Sequence, residues 1–231
     1  VKETAESEGS TSRIEGFSDA VFALSLTLLV VSTEVPRTFA DLTRLMAAFV
    51  PFGACFALLC WLWWSHHAYF RRFGRADRVT VVLNCFLLFF LVFYVYPLKF
   101  VATLALGPMF GVKPPPEALP TAGQGAWVMW FYGGGFAGVS AIFAALYGTA
   151  RHRIAKVGGD AREIYDAGTH ERAWWANAGV AVVSCAIAMT AGPRGVGWSG
   201  FAYCLIGPVQ WFVFAGRERR RASALARAEG G

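Results

Sequence analysis

The sequence predicts an all-α integral membrane protein, and three observations carry that prediction. Of its 231 residues, 56% are hydrophobic, and the mean hydropathy is +0.45. Charged residues make up 16%, against about 25% in an ordinary soluble domain, and they cluster between apolar blocks. Those blocks suit a bilayer core roughly 30 Å thick, which asks for about 20 mostly apolar residues per helix. None shows the period-two alternation over about 10 residues that marks a transmembrane strand.

Six blocks qualify as spans: 17–33, 46–70, 79–106, 126–149, 174–192 and 198–216. Residues 1–12 are acidic and Ser-rich, an expected disordered cytoplasmic segment without the basic prelude and apolar stretch of a signal peptide. The first span opens as FSDAVFALSLTLLV, with the carboxylate of Asp19 at its mouth. The second ends in CWLWWSHHAYFRRFGRADR, and the third, LNCFLLFFLVFYVYPLKF, has Asn84 early and Pro97 late. The loop that follows holds a Pro-Pro-Pro run, expected to be extended and stiff. In the fourth span, Gly134 and Gly138 form a G-x-x-x-G pair that favours close helix packing, within the chain rather than against another copy, although the pattern alone allows either. The charged stretch 151–173 is expected to be a loop with room for a short helix. Only GPRGVGW divides the last two blocks, which predicts a tight helical hairpin. The domain reading is thus a segment 1–12, a six-helix membrane domain 13–216 and a basic tail 217–231.

Orientation follows from the Lys and Arg residues near the span ends. With the N-terminus inside, the outer side keeps five of 21, namely Arg37, Arg44, Lys99, Lys113 and Arg194. The rest lie inside, so both termini are expected in the cytoplasm. This asymmetry accounts for the net charge of +6 without nucleic acid. The basic RERRR run of the tail more simply meets anionic headgroups. All five cysteines lie inside spans without metal-ligand spacing, and they read as small apolar residues.

Several polar groups stand out within the apolar blocks. On a helix, Phe17, Leu24, Leu28 and Val31 share one stripe, with Thr27 at its edge. Ser18, Ser25 and Ser32 repeat every seven residues on a neighbouring face. Periodicity alone leaves the apolar stripe open as core, lipid contact or pore lining. Asp19 lies off both faces and about 120° around the helix from Arg13, so the two cannot pair within one helix, and each needs a partner elsewhere. A helix dipole would also stabilise an acid near its N-terminus. His66 and His67 are adjacent, so they point about 100° apart and cannot grip one metal as i, i+4 ligands do. With the N-terminus inside, Asp19, His66, His67 and Asn84 share one level, and polar groups at membrane depth usually face other helices or water.

Arg13, Phe17, Ser18 and Asp19 spell R-x-x-x-F-S-D, followed by AVFALSLTLLV and by Pro36. With Trp63-x-x-His66-His67 and LNCFLL ahead of Pro97, residues 13–100 resemble the endolysosomal-type potassium channel family, also called transmembrane protein 175-like. Bacteria carry single six-helix versions of it. The resemblance implies a homotetramer in a bacterial plasma membrane, passing monovalent cations, potassium above all, with no cofactor and no catalysis. The first helix of each subunit would line the pore. No Thr-Val-Gly-Tyr-Gly filter occurs in the family or in this sequence. By position, Leu24 would form the first apolar ring, with Leu28 and Val31 beyond it and Thr27 as a hydroxyl ring beside them. The family often has Ile at that first ring, so Leu24 departs from it mildly.

In the same reading Arg13, Phe17, Ser18, Asp19, Trp63, His66, His67 and Asn84 form a structural network beside the pore, with Asp19 tying the first helix to the second and third. The other role open to Asp19 is to line the inner vestibule and attract cations. Potassium sheds water more readily than sodium, so a tight apolar ring would favour it moderately. The rival readings are a proton-permeable channel, a secondary transporter, a scaffold without transport, and an embedded enzyme using Asp19 with His66 or His67. A transporter would favour helices broken in paired positions, and Pro97 has no counterpart. An enzyme would need a nucleophile that the sequence does not offer.

Overall fold

The computed structural model describes residues 2–32, 35–111, 121–190, 200 and 202–216, without the side chains of 2–8 and 122. Among these residues there is helix and no strand. Five helices are long and apolar enough to cross a membrane. They are α1 (Lys2–Val31), α3 (Phe49–Phe73), α4 (Arg78–Leu106), α5 (Ala122–Lys156) and α6 (Ala161–Thr190). A short helix α2 (Phe39–Ala47) joins α1 to α3. The sixth expected span appears as α7, Ala202–Gly216, apolar but shorter than a full span. The Pro-Pro-Pro run, the GPRGVGW turn and the basic tail lie outside the described residues.

Two compact units divide the chain, Val1–Gln124 and Gly125–Gly231. In the first, α1, α3 and α4 pack against one another in all three pairings. Phe22 and Leu29 of α1 meet a core of Cys55, Leu59, Leu62, Tyr69 and Phe70 from α3 and Leu87, Leu88, Leu91 and Val95 from α4. The α3–α4 turn is specified locally. Gly74 follows α3 so closely that a Cβ there would collide with the backbone of Phe70. Asp77 then caps α4, its carboxylate accepting from the Thr80 amide at 2.7 Å.

In the second unit α5 and α6 run antiparallel. Phe143 stacks on Trp174 with centroids 4.2 Å apart, and Arg151 pairs with Glu171 at 2.9 Å. Small residues on α6, including Ala167, Ala173, Ala178 and Ala181, are buried and let the helices approach. Tyr203 and Phe214 of α7 pack edge-on against Phe136 and His170.

Three expectations change. Residues 2–12, expected to be disordered, belong to α1. Their Ala and Glu residues suit a helix, and acids near its start suit the dipole. The expected loop 151–173 is mostly helix: α5 runs to Lys156, α6 starts at Ala161, and only four residues separate them. A helix as long as Gly123–Lys156, 34 residues, extends roughly 50 Å and outruns a bilayer core. Its charged last turns are therefore the projecting part of the same helix. On α5 it is at Gly133 that a Cβ would overlap Cys185 Sγ, whereas Gly134, one of the expected pair, has open space around it.

Candidate functional site

The sequence-marked polar residues fall where α1, α3 and α4 meet. Ser18 is fully buried and donates to the Ile14 carbonyl at 2.8 Å, which lets a hydroxyl sit in an apolar junction. Its oxygen accepts from Asn84 Nδ2 at 2.9 Å. Asn84 Oδ1 faces His66 Nε2 at 2.8 Å. Because the Asn84 amide nitrogen is committed to Ser18, its carbonyl must be the acceptor, so His66 carries its proton on Nε2. The imidazole lies between Phe22 and Phe70, at centroid distances of 5.5 and 4.5 Å. Three helices are thus joined by one buried chain, Ser18–Asn84–His66.

A second, shallower layer joins α1 to α3 alone. Trp63 Nε1 donates to Asp19 Oδ1 at 2.9 Å. One turn away, His67 Nδ1 and Glu15 Oε1 lie 2.9 Å apart. Glu15 and Asp19 are i, i+4 on one helix, and Trp63 and His67 are i, i+4 on the other, running the opposite way. The two pairs are successive rungs between antiparallel helices. Trp63 also stacks on His67, with centroids 5.8 Å apart and planes 21° from parallel. Asp19 therefore has its partner on α3 alone, and the expected tie from α1 to α4 runs through Ser18 and Asn84 instead.

Glu15 went unnoticed in the sequence, although its i, i+4 relation to Asp19 placed it on the same face. Arg13 and Phe17 do not join these bonds. Arg13 is exposed, and Phe17, at 62% exposure, does not pack into the junction within the subunit. At the other end of α1, Lys99 Nζ donates to Ser32 Oγ at 2.8 Å, a tie to α4 that the sequence did not announce.

These ties give α1 two unlike faces. Ser18, Phe22, Ser25 and Leu29, spaced i, i+4, i+7 and i+11, are all buried. Leu24 and Val31 are exposed, at 51% and 68%, and Thr27 is exposed with its hydroxyl donating to the Ala23 carbonyl at 2.9 Å. Leu28 is intermediate. The expected stripe thus lies largely on the side of α1 away from α3 and α4. Among the described residues, no group of three or more His, Cys, Asp or Glu side chains is placed to hold a metal ion.

Residues 13–94 match the family described as the endosomal/lysosomal potassium channel TMEM175. The structure is similar over 90% of the chain to 93% of the potassium channel MtTMEM175, solved as a variant with a nanobody fusion, at a TM-score of 0.76 and 33% sequence identity. The chain belongs to the TMEM175 family. A potassium channel of Marivirga tractuosa is 50% identical over 103 residues, which is 43% of this chain and 42% of that protein. The chain spans about half or less of the length of the curated relatives it matches. The lysosomal potassium-selective TMEM175 homologue of Chamaesiphon minutus superposes at a TM-score of 0.61 with 22% identity, a likeness of fold. The junction just described lies within the span that matches the TMEM175 family, residues 13–94.

Proposed function

We propose that the protein is a moderately potassium-selective channel, passive and without a cofactor, in which four copies place their α1 helices around one pore. The observation that carries this reading is the division of α1 into a buried, bonded face and an open apolar face containing Leu24 and Val31. Membership of the TMEM175 family supports the choice of a pore over lipid for that face. Leu24 is the narrowest ring, Leu28 and Val31 continue it, and Thr27 contributes a hydroxyl ring.

Such rings pass an ion only when wet and wide enough. Selectivity arises from the cost of shedding water, which is lower for potassium than for sodium. The network of Ser18, Asp19, Trp63, His66, His67 and Asn84 binds no ion. It fixes the rotation of α1 and so the direction in which Leu24 points. With Trp63 holding its carboxylate laterally, Asp19 acts as an anchor. Both termini face the cytoplasm of a bacterial cell, and the chain catalyses no reaction.

The test is flux from proteoliposomes loaded with potassium, under potassium, sodium and caesium gradients. Potassium flux should exceed sodium flux and should need no second solute. Flux that requires a proton or sodium gradient would replace the channel by a secondary transporter. No flux of any of the three cations would remove the conduction reading.

A further inference from the structure

We infer that α2 is an interfacial anchor whose apolar face lies against phospholipid, in the leaflet reached by the C-terminal end of α1. None of its residues is buried. Phe39 and Met46 are 80% and 63% exposed, and Leu42 lies between them on the same stripe. Roughly opposite lies Arg44, whose guanidinium holds the Asp41 carboxylate at 3.3 Å. Thr38 and Asp41 close a reciprocal capping box at 3.1 Å each way. The polar side of α2 is therefore tied within itself, and the apolar side has no cover among the described residues of the first unit.

The place of α2 in the chain selects the occupant. α1 and α3 both have the length and composition of membrane spans. Ala48 alone separates α2 from α3, serving as the C-cap of one and the N-cap of the other. The charged residues of α3, Arg71 and Arg72, lie in its last turn, so its uncharged N-terminal end, and α2 with it, lies close to the bilayer boundary. An isolated helix of nine residues is marginal in water. Laid in the interface, its apolar face sinks into the boundary between headgroups and acyl chains while Arg44 and Asp41 stay wet. Phospholipid is present there in any case, so no partner protein is required.

The test places the photoreactive p-benzoyl-phenylalanine singly at Phe39, Met46 or Ala40 in the full chain. The protein is reconstituted in vesicles of phosphatidylethanolamine and phosphatidylglycerol, irradiated, and examined by mass spectrometry. All three positions are exposed, so the label should leave folding intact. Lipid adducts at Phe39 and Met46 should exceed those at Ala40 several-fold. In a Met46→Glu background, the lipid adduct at Phe39 should fall several-fold as α2 lifts out. Subunit-to-subunit adducts at Phe39 and Met46 would overturn the inference in favour of a second copy. No adduct at either position, equal lipid adducts at all three, or indifference to Met46→Glu would also overturn it.

Discussion

At the scale of single residues, the buried chain and the shallow rungs differ in what their loss should cost. Asn84 is the only described residue that bonds both Ser18 and His66, and it is almost wholly buried. Asn84→Ala removes both bonds and leaves two polar side chains short of a partner, a cost of about 1–3 kcal/mol. Trp63→Phe keeps the ring against His67 but removes the donor to Asp19. Because Trp63 stands partly in contact with the surroundings, the cost should be below about 1 kcal/mol. Thermal unfolding in detergent should therefore rank Asn84→Ala clearly below Trp63→Phe, and the reverse order would mean that the shallow rung holds α1. The polar letters of this junction were legible because Ser18, Asp19, His66 and Asn84 interrupt apolar runs. Their pairing was not, since it depends on how far α3 and α4 are rotated. Phe17 and Arg13 show the converse: they belong to the same sequence motif, yet both are exposed in the subunit.

At the scale of helices, the spans were legible because apolar runs of the right length have few other uses, but their ends were not. A hydropathy pattern reports the bilayer-facing part of a helix and is silent where the same helix continues with Ala, Arg, Glu and Lys, as at the end of α5 and the start of α6. The α2 helix escaped notice because it is short, although the Thr38-x-x-Asp41 spacing resembles a capping box. Thr38→Ala should make the first amides of α2 exchange several-fold faster in hydrogen–deuterium exchange. The hydrogen bond with Thr38 holds the Asp41 carboxyl below its ordinary value. A depressed carboxylate contributes stability above its unfolded pKa and loses it as pH falls through the folded one. Protection of α2 should thus be flat from neutral pH down to the ordinary carboxylate range and decline below it. In the second unit, Gly133→Val should loosen α5 from α6 by about 1–3 kcal/mol through overpacking, since even a Cβ overlaps Cys185. Gly134→Val should be nearly silent. Equal damage from both in unfolding measurements would restore Gly134 as a packing glycine, or place it against another copy.

At the scale of the whole molecule, the proposed pore along the exposed face of α1 calls for copies of the chain. One helix cannot enclose a pore, so the proposed channel requires a closed ring of subunits, and native mass measurement in nanodiscs should find four. Only monomers or dimers would remove the pore. Within that ring Leu24 decides between readings that a single subunit leaves equivalent. If its face met a packed neighbour, Leu24→Ala would weaken assembly, by about 2–5 kcal/mol if fully buried there, and if it met lipid it would change assembly little; neither gives a reason for ion preference to change. If four Leu24 side chains form the constriction, truncating all of them at once widens it and lets ions keep more of their water. Conductance should then rise while the preference for potassium over sodium drops. Leu24→Trp should block conduction in a ring of unchanged mass. The anchoring network supplies the internal control, because Asp19→Asn should lower assembly more than it changes ion preference. Should an intact Asp19→Asn ring instead lose cation conductance selectively, Asp19 faces the vestibule. Should an intact Leu24→Ala ring conduct with unchanged selectivity, the narrowest point lies elsewhere on α1, and Leu28 and Val31 become the residues to truncate.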